Sequence, residues 1–250
     1  MNRSIWIGWD PRERDAFEVA RHSMLRHMTQ PISVHKLVLN DLVERGLYTR
    51  PTLRLMIDKN HDKLIDVLSA RDDYDGSCST EHAIARFLVP MLAQTGWAMF
   101  TDGDVLFRGD VCEAFEGLDP SKAVYCVQHR HEPPEIEKMD GQVQTRYRRK
   151  NWSSFMIFNC DHPANRSWTG VSAIVNKLPG RDLHAFCWLD NHEIGALDRK
   201  WNHLVGWSDP QIKPAMVHFT EGLPNMPGYE ACDYADEWRS ELTRIKLMAA

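Results

Sequence analysis

The sequence predicts an α/β fold built around a mostly parallel sheet, and three features of the chain predict it. Strand-like apolar runs alternate with stripes of helical period through the first half of the chain. One of these runs, Trp97-Ala98-Met99-Phe100, leads into Thr101-Asp102-Gly103-Asp104. Two carboxylates therefore stand at the carboxyl end of a strand, where open α/β sheets bind their ligands. With 250 residues, 43% apolar and 26% charged, the chain can bury a sizeable core as a single domain.

The elements follow in order. Ile5 to Trp9 reads as the first strand. Asp10-Pro11 opens a helix, because Asp is a favoured N-cap and Pro a favoured first helical residue. Ala16, Phe17, Ala20, Met24 and Met28 form the apolar stripe of that helix. Ile32 to Leu39 is a second strand, rich in β-branched and apolar residues. Residues 40 to 76 are polar and lack a clean period, which predicts an irregular insertion with a short helix near His61 to Ala70. Ser79-Thr80-Glu81 opens the next helix, striped by Ile84, Phe87, Leu88, Met91 and Leu92. The Asp-x-Asp strand comes next, and Val105-Leu106-Phe107 resumes straight after it. Further strands are predicted at Ala123 to Gln128, Phe155 to Asn159 and Ala215 to Phe219, with a helix over Pro163 to Asn176 and a short helical run at Ile194 to Leu197. Between them, His129 to Lys150 is a long loop, Pro-rich and then basic, of a length that usually carries function or mobility.

Composition narrows the function. A formal net charge of −5 leaves no nucleic-acid footprint. No apolar run approaches the roughly 20 residues of a membrane span. The chain enters a strand at Ile5-Trp6-Ile7-Gly8 without the apolar core of a signal peptide. Cys78, Cys112, Cys126, Cys160, Cys187 and Cys232 are scattered with no CxxC pair, which predicts reduced, individually buried thiols. The expectation is a soluble, cytoplasmic protein.

Candidate site residues each carry two readings. Asp102 and Asp104 offer hard oxygen ligands suited to Mg²⁺ or Mn²⁺, which in turn hold a diphosphate, and Gly103 lets the turn bring both to one ion. The plain alternative is a polar turn between strands. Arg86 borders the apolar stripe of its helix and either reaches a phosphate or carboxylate at the strand end or lies on the outer face. His218, ending Ala215-Met216-Val217, either completes a two-carboxylate, one-histidine ligand set or is a hydrogen-bonded core residue. The segment Glu221-Gly222-Leu223-Pro224 behind it can present backbone N–H groups to phosphate. Ser153, Ser154 and Asn159 can hydrogen-bond sugar hydroxyls or simply cap a strand. Asp190 and Asn191 sit beside a reacting carbon or cap a helical turn. The run Arg146 to Lys150 attracts phosphate or an acidic acceptor, or is solvated.

The order of these pieces is more specific than any one of them. Asp10 at a strand end, Arg86-Phe87-Leu88-Val89-Pro90, the Asp-x-Asp strand, Ser153-Ser154-x-Met156-x-x-Asn159, Asp190-Asn191, Trp201-Asn202 and a late His218 before a Gly/Pro loop follow one another. From about Ile5 to Gly222 the chain resembles a glycosyltransferase of the GT-A fold, of the family 8 type that includes bacterial lipopolysaccharide galactosyltransferases and glycogenin, as an outlying branch. The resemblance implies a Rossmann-like nucleotide-diphospho-sugar transferase fold, with a nucleotide-binding half at about 1–110 and a sugar and acceptor half at about 111–250. It implies that Asp102, Asp104 and His218 hold Mn²⁺ (or Mg²⁺). Gly8, Asp10, Arg86, Asp102, Gly103, Ser154, Asn159 and Gly222 would line the donor site, and Asp190 and Asn191 would be the catalytic pair beside the transferred sugar. Two departures stand out: no lysine follows Gly222 at the family's expected place, and Asn191 replaces the usual, longer Gln.

The resulting expectation is transfer of a sugar from a nucleotide-diphosphate sugar, a UDP-sugar, to an unidentified acceptor with retention. In an inverting enzyme Asp190 or Glu193 would instead be the base. The competing readings are a nucleotidyltransferase, which leaves His218 unexplained, and a non-catalytic nucleotide-sugar-binding protein of the same fold.

Overall fold

A computed structural model describes residues 2–56, 62–66, 80–130, 137–138, 142–143 and 149–248. Its strands are β1 (Arg3–Gly8), β2 (Ser33–Leu37), β3 (Thr52–Met56), β4 (Asp62–Asp66), β5 (Trp97–Thr101), β6 (Val105–Phe107), β7 (Val124–Cys126), β8 (Glu137–Lys138), β9 (Gln142–Val143), β10 (Phe155–Asn159), β11 (Ile194–Ala196), β12 (His203–Leu204) and β13 (Met216–His218). A six-stranded sheet in the order β11-β7-β10-β5-β1-β2 forms the centre. The β1–β2, β1–β5 and β7–β11 pairings are parallel, and β10 runs against both its neighbours. The α/β architecture with a mostly parallel sheet matches the sequence expectation.

Strand β5 is buried along its whole length because both faces of the sheet are covered, so it reads as an unbroken apolar run. Its side chains alternate between two cores. Ala98 and Phe100 join Met156, Phe158 and the helical run after residue 82, whereas Trp97 and Met99 join Ile5, Ile7 and Ile157 under the helix α1 (Arg14–His27). Fully burying an aromatic such as Phe100 or Phe158 is worth about 1.5–3 kcal/mol. Asp10 caps the turn Pro11–Glu13 that precedes α1, as its residue type demands.

Four local readings need correction. Residues 62–66, inside the predicted helix near His61 to Ala70, form a strand paired with β3. Polar composition without a period could not reveal this partner; the rest of that stretch lies outside the described residues, and the short helix of this region is α2 (Leu39–Glu44). The hairpin is pinned by Arg50, whose Nε donates to Asp66 at 2.6 Å and whose Nη1 caps the helix Trp168–Lys177 at the Val175 and Leu178 carbonyls. The run Ile194 to Leu197 is strand β11, since a short apolar run does not distinguish helix from strand. The helix over Pro163 to Asn176 is divided at Ser167, whose Oγ caps the second part by accepting the Gly170 N–H. Cys112, Cys126 and Cys160 are buried thiols as expected, but Cys187 is exposed, and Cys78 lies outside the described residues.

A helix not anticipated from the sequence, Ala235–Met248, packs Trp238 and Glu241 against α1. Glu241 accepts from His22 at 2.7 Å and Arg26 at 3.2 Å. Among the described residues, no helix is long and apolar enough to cross a membrane.

Candidate metal and donor site

The site grows out of two sheets that meet at Asp102-Gly103-Asp104. β5 ends at Thr101 in the large sheet, and β6 begins at Val105 in a three-stranded sheet of order β12-β13-β6. The three residues that turn between the sheets are therefore pushed out at the carboxyl edge. Gly103 is required by close approach: a Cβ there would lie 2.8 Å from the Gly8 carbonyl oxygen. In the antiparallel register of β6 and β13, His218 lies opposite Val105, and the Phe219 N–H donates to the Asp104 carbonyl at 3.0 Å. That register, spanning over 100 residues of chain, is what brings His218 Nε2 within 3.3 Å of Asp104 Oδ1.

Asp102, Asp104 and His218 each offer a ligand atom, all within 4.8 Å of one another. Oδ1 of Asp104 is buried and has no hydrogen-bond partner among the described residues. His218 Nδ1 meets Asn202 Oδ1 at 3.0 Å, while Asn202 Nδ2 donates to Ser154 Oγ at 2.8 Å and to the Asn151 carbonyl at 3.2 Å. These contacts orient the Asn202 amide, so Nδ1 of His218 is the donor; in the neutral form of the ring that leaves the Nε2 lone pair on the side of Asp104. A fixed outer hydrogen bond of this kind is the usual companion of a metal-binding imidazole. The residues present thus fit a divalent cation, with two carboxylates, one imidazole and an orphaned buried oxygen.

Asp102 is held from the other side. Arg86 Nη2 lies 2.7 Å from its Oδ1 and Arg86 Nη1 donates to its Oδ2 at 3.3 Å, while His82 Nε2 faces Oδ1 at 3.0 Å. Burial works against the charged form, but Arg86 and then His82 outweigh it and hold the Asp102 carboxyl well below the usual range. Arg86 also donates to the Ser153 carbonyl at 2.8 Å and stacks over Phe100. Of its two sequence readings, the inward one is correct.

Glu13 adds a further acidic group. Burial, then Asp104 and Asp10, push its carboxyl up to about 8. Asp10 itself is 1% exposed and accepts from Arg12 and from the Glu81 N–H, so it shapes the turn after β1. Gly8 is a glycine because a Cβ would lie 2.4 Å from the His82 ring.

Other expected residues are placed differently. Ser154 immediately precedes Phe155, the partner of Thr101; its carbonyl accepts the Asp102 N–H at 2.9 Å and its Oγ takes Asn202. Asn159 is not brought to the site. It pairs with Trp97 at the opposite edge and bonds the Pro120 carbonyl, because β10 runs antiparallel to β5 and carries its end away from Asp102. At Gly222 a Cβ would meet the Tyr229 ring at 2.4 Å, so this glycine serves packing. Asp190 and Asn191 are exposed in a turn before β11, where Glu193 accepts the Asp190 N–H. Asn191 Oδ1 accepts from Arg149, which also bonds the Ala185 carbonyl and lies over Trp152, joining the pair to the segment that carries Ser153 and Ser154. Residues 146–148 of the basic run lie outside the described residues.

Sequence reasoning passed over His82, Glu13 and the role of Asn202. His82 carried a usable signal, since it lies four residues before Arg86 and so on the same helical face. Glu13 had none, and Asn202 entered only as one piece in the order of the motifs, its contact with His218 being a matter of tertiary packing.

No family model matches the chain. Protein CDI of Arabidopsis thaliana is 38% identical over 244 residues, covering 95% of this chain and 85% of its own length. Solved structures share the fold at low identity. The apo form of the bifunctional glycosyltransferase WbbM has a TM-score of 0.60 at 13% identity over 96% of this chain, which spans only 49% of WbbM. The galactosyltransferase LgtC, solved with donor and acceptor sugar analogues, has a TM-score of 0.57 at 12% identity over 96% of this chain and 95% of its own. GlyE of Streptococcus pneumoniae TIGR4, also a glycosyltransferase, has a TM-score of 0.57 at 11% identity over 97% of this chain and 60% of its own. The fold is GT-A.

Proposed function

The chain belongs to the family of Arabidopsis thaliana Protein CDI and has a GT-A fold, and from that premise we propose that it is a metal-dependent glycosyltransferase that moves a sugar from a UDP-sugar to a hydroxyl acceptor with retention. One observation carries the reading: Asp102, Asp104 and His218 converge at the carboxyl edge of the sheet, with Asp104 Oδ1 buried and without a hydrogen-bond partner among the described residues. LgtC, of the same fold, was solved with donor and acceptor sugar analogues, which supports a sugar donor as the ligand here.

The donor set of two carboxylates and one imidazole suits Mn²⁺, with Mg²⁺ as the alternative. Such an ion supplies Lewis-acid stabilisation of the departing diphosphate and a template for the donor. The chain's own residues do the rest. Arg86 offsets the charge of Asp102 and fixes it against Ser153. Asn202 aims His218, and Ser154 holds Asn202. The close approach of Gly103 to Gly8 forms a backbone floor at the end of β1 on which the nucleotide rests. Asp10 holds the turn that follows the end of β1 through Arg12 and the Glu81 N–H. Asp190 and Asn191 orient the transferred sugar through its hydroxyls, Asn191 steadied by Arg149.

Thermal denaturation with UDP, with Mn²⁺ and with both tests this reading. Ligands that bind only the native state stabilise it, by about 2.7 kcal/mol at a hundred times the Kd. UDP is expected to raise the midpoint only when Mn²⁺ is present, and Asp104→Ala to remove the joint effect. A midpoint unmoved by every combination overturns the proposal.

A further inference from the structure

We propose that His82 is a positioning residue of the cation site, holding the Asp102 carboxylate in its ligand orientation and tying it to the nucleotide end of β1. This takes the glycosyltransferase reading above as its basis and adds a residue to it.

The imidazole is specified on every side. His82 is 1% exposed. Its Nε2 faces Asp102 Oδ1 at 3.0 Å and its Nδ1 faces the Trp9 carbonyl at 3.2 Å. One edge of the ring fills the space a side chain at Gly8 would need, with Cδ2 only 2.4 Å from a Cβ there. Phe100 meets the ring at a centroid distance of 6.0 Å. A side chain so enclosed has one rotamer, and it can fix another group in turn.

Arg86 alone would neutralise Asp102. What His82 adds is direction. Arg86 and His82 lie one helical turn apart and both approach Oδ1, so the carboxylate is gripped from two points. The contact to Trp9 makes the same ring a strut between the end of β1 and the Asp-x-Asp turn, so the nucleotide floor and the first acidic ligand hold one relative position. Partners of this outer kind are generally worth 10–100-fold in metal affinity or activity.

The test is a Mn²⁺ titration in the presence of UDP, read from the electron paramagnetic resonance of the free ion, with no turnover required. The chains compared are wild type, His82→Ala, His82→Gln and His82→Asn. A glutamine amide reaches the place of Nε2, and an asparagine amide the place of Nδ1. His82→Ala is expected to weaken Mn²⁺ binding about 10–100-fold, with Gln restoring most of the loss and Asn little. Wild-type affinity in the Ala variant overturns the proposal. So does recovery by Asn but not Gln, which marks a tether of β1 without a role at Asp102. If the Ala variant does not fold, the Gln and Asn variants decide between these outcomes by themselves. A wild-type chain that leaves the free Mn²⁺ signal unchanged overturns the cation reading itself, and the role of His82 falls with it.

Discussion

Where β5 begins, buried asparagines close their hydrogen bonds among themselves and the backbone. Asn165 donates to the Ala123 and Asn159 carbonyls, Asn159 donates to the Pro120 carbonyl and accepts the Asp161 N–H, and Asp161 accepts the Gly96 N–H. Where β5 ends, five residues further along the same strand, the polar groups do not close. Asp104 Oδ1 and Arg86 Nε are buried with no hydrogen-bond partner among the described residues, and Asp10, Glu13, Asp102 and Asp104 crowd together. A network whose members are all satisfied adds rigidity and needs no visitor. One that leaves a buried carboxylate oxygen unmatched and repels itself bears a cost that a bound cation offsets. The contrast separates a buried polar cluster that closes on itself from one whose groups suit a bound cation.

The comparison can be broken in four ways. The largest effect is expected from Asp104→Ala, which should lower sugar transfer about a thousandfold, the several kcal/mol of a lost Lewis acid. A screen of nucleotide sugars that detects nucleotide release measures it. Asn202→Ala should cost about 10–100-fold in Mn²⁺ affinity by releasing the His218 ring, seen by calorimetric titration. Asn165→Ala, at the opposite edge, should destabilise the fold by about 1–3 kcal/mol through loss of the two hydrogen bonds its side chain donates while leaving Mn²⁺ affinity unchanged. Urea unfolding reads the first quantity, and altered affinity would dissolve the distinction between the edges.

The fourth test concerns pH. The Glu13 carboxyl rises from 4.5 to about 8 on folding, because of burial and then the neighbouring Asp104 and Asp10. Between these values the folded chain binds more proton than the unfolded one, so stability should fall as pH rises from about 5 to 8 in the presence of a chelator. Glu13→Gln should flatten that slope in urea midpoints measured across the range. An unchanged slope would remove Glu13 from the crowded edge.

How far the sequence carried the fold differs from element to element. β5 and β10 were readable because strands covered on both faces are continuous apolar runs, and α1 because its apolar stripe has helical period. β4 and β11 were not, since β4 is mostly polar and defined by its partner and β11 is only three residues long. At the site, Asp102, Asp104 and Arg86 were legible from local pattern. His218 was legible from its order in the chain, whereas its contact with Asp104 is a matter of register. Asn159 shows the reverse error: a strand-end amide looks the same at either edge, and only the antiparallel direction of β10 says which edge it occupies.

By itself, then, the sequence determined the layer architecture, the Asp-x-Asp turn and the identity of the ligand-type residues, all consequences of local periodicity and side-chain chemistry. Tertiary structure alone decided which polar cluster stays unsatisfied, that His82 and Arg86 share one carboxylate, and that Asn202 aims His218. Those relations join residues far apart in the chain, and they exist only once strand direction and register have set the distances between them.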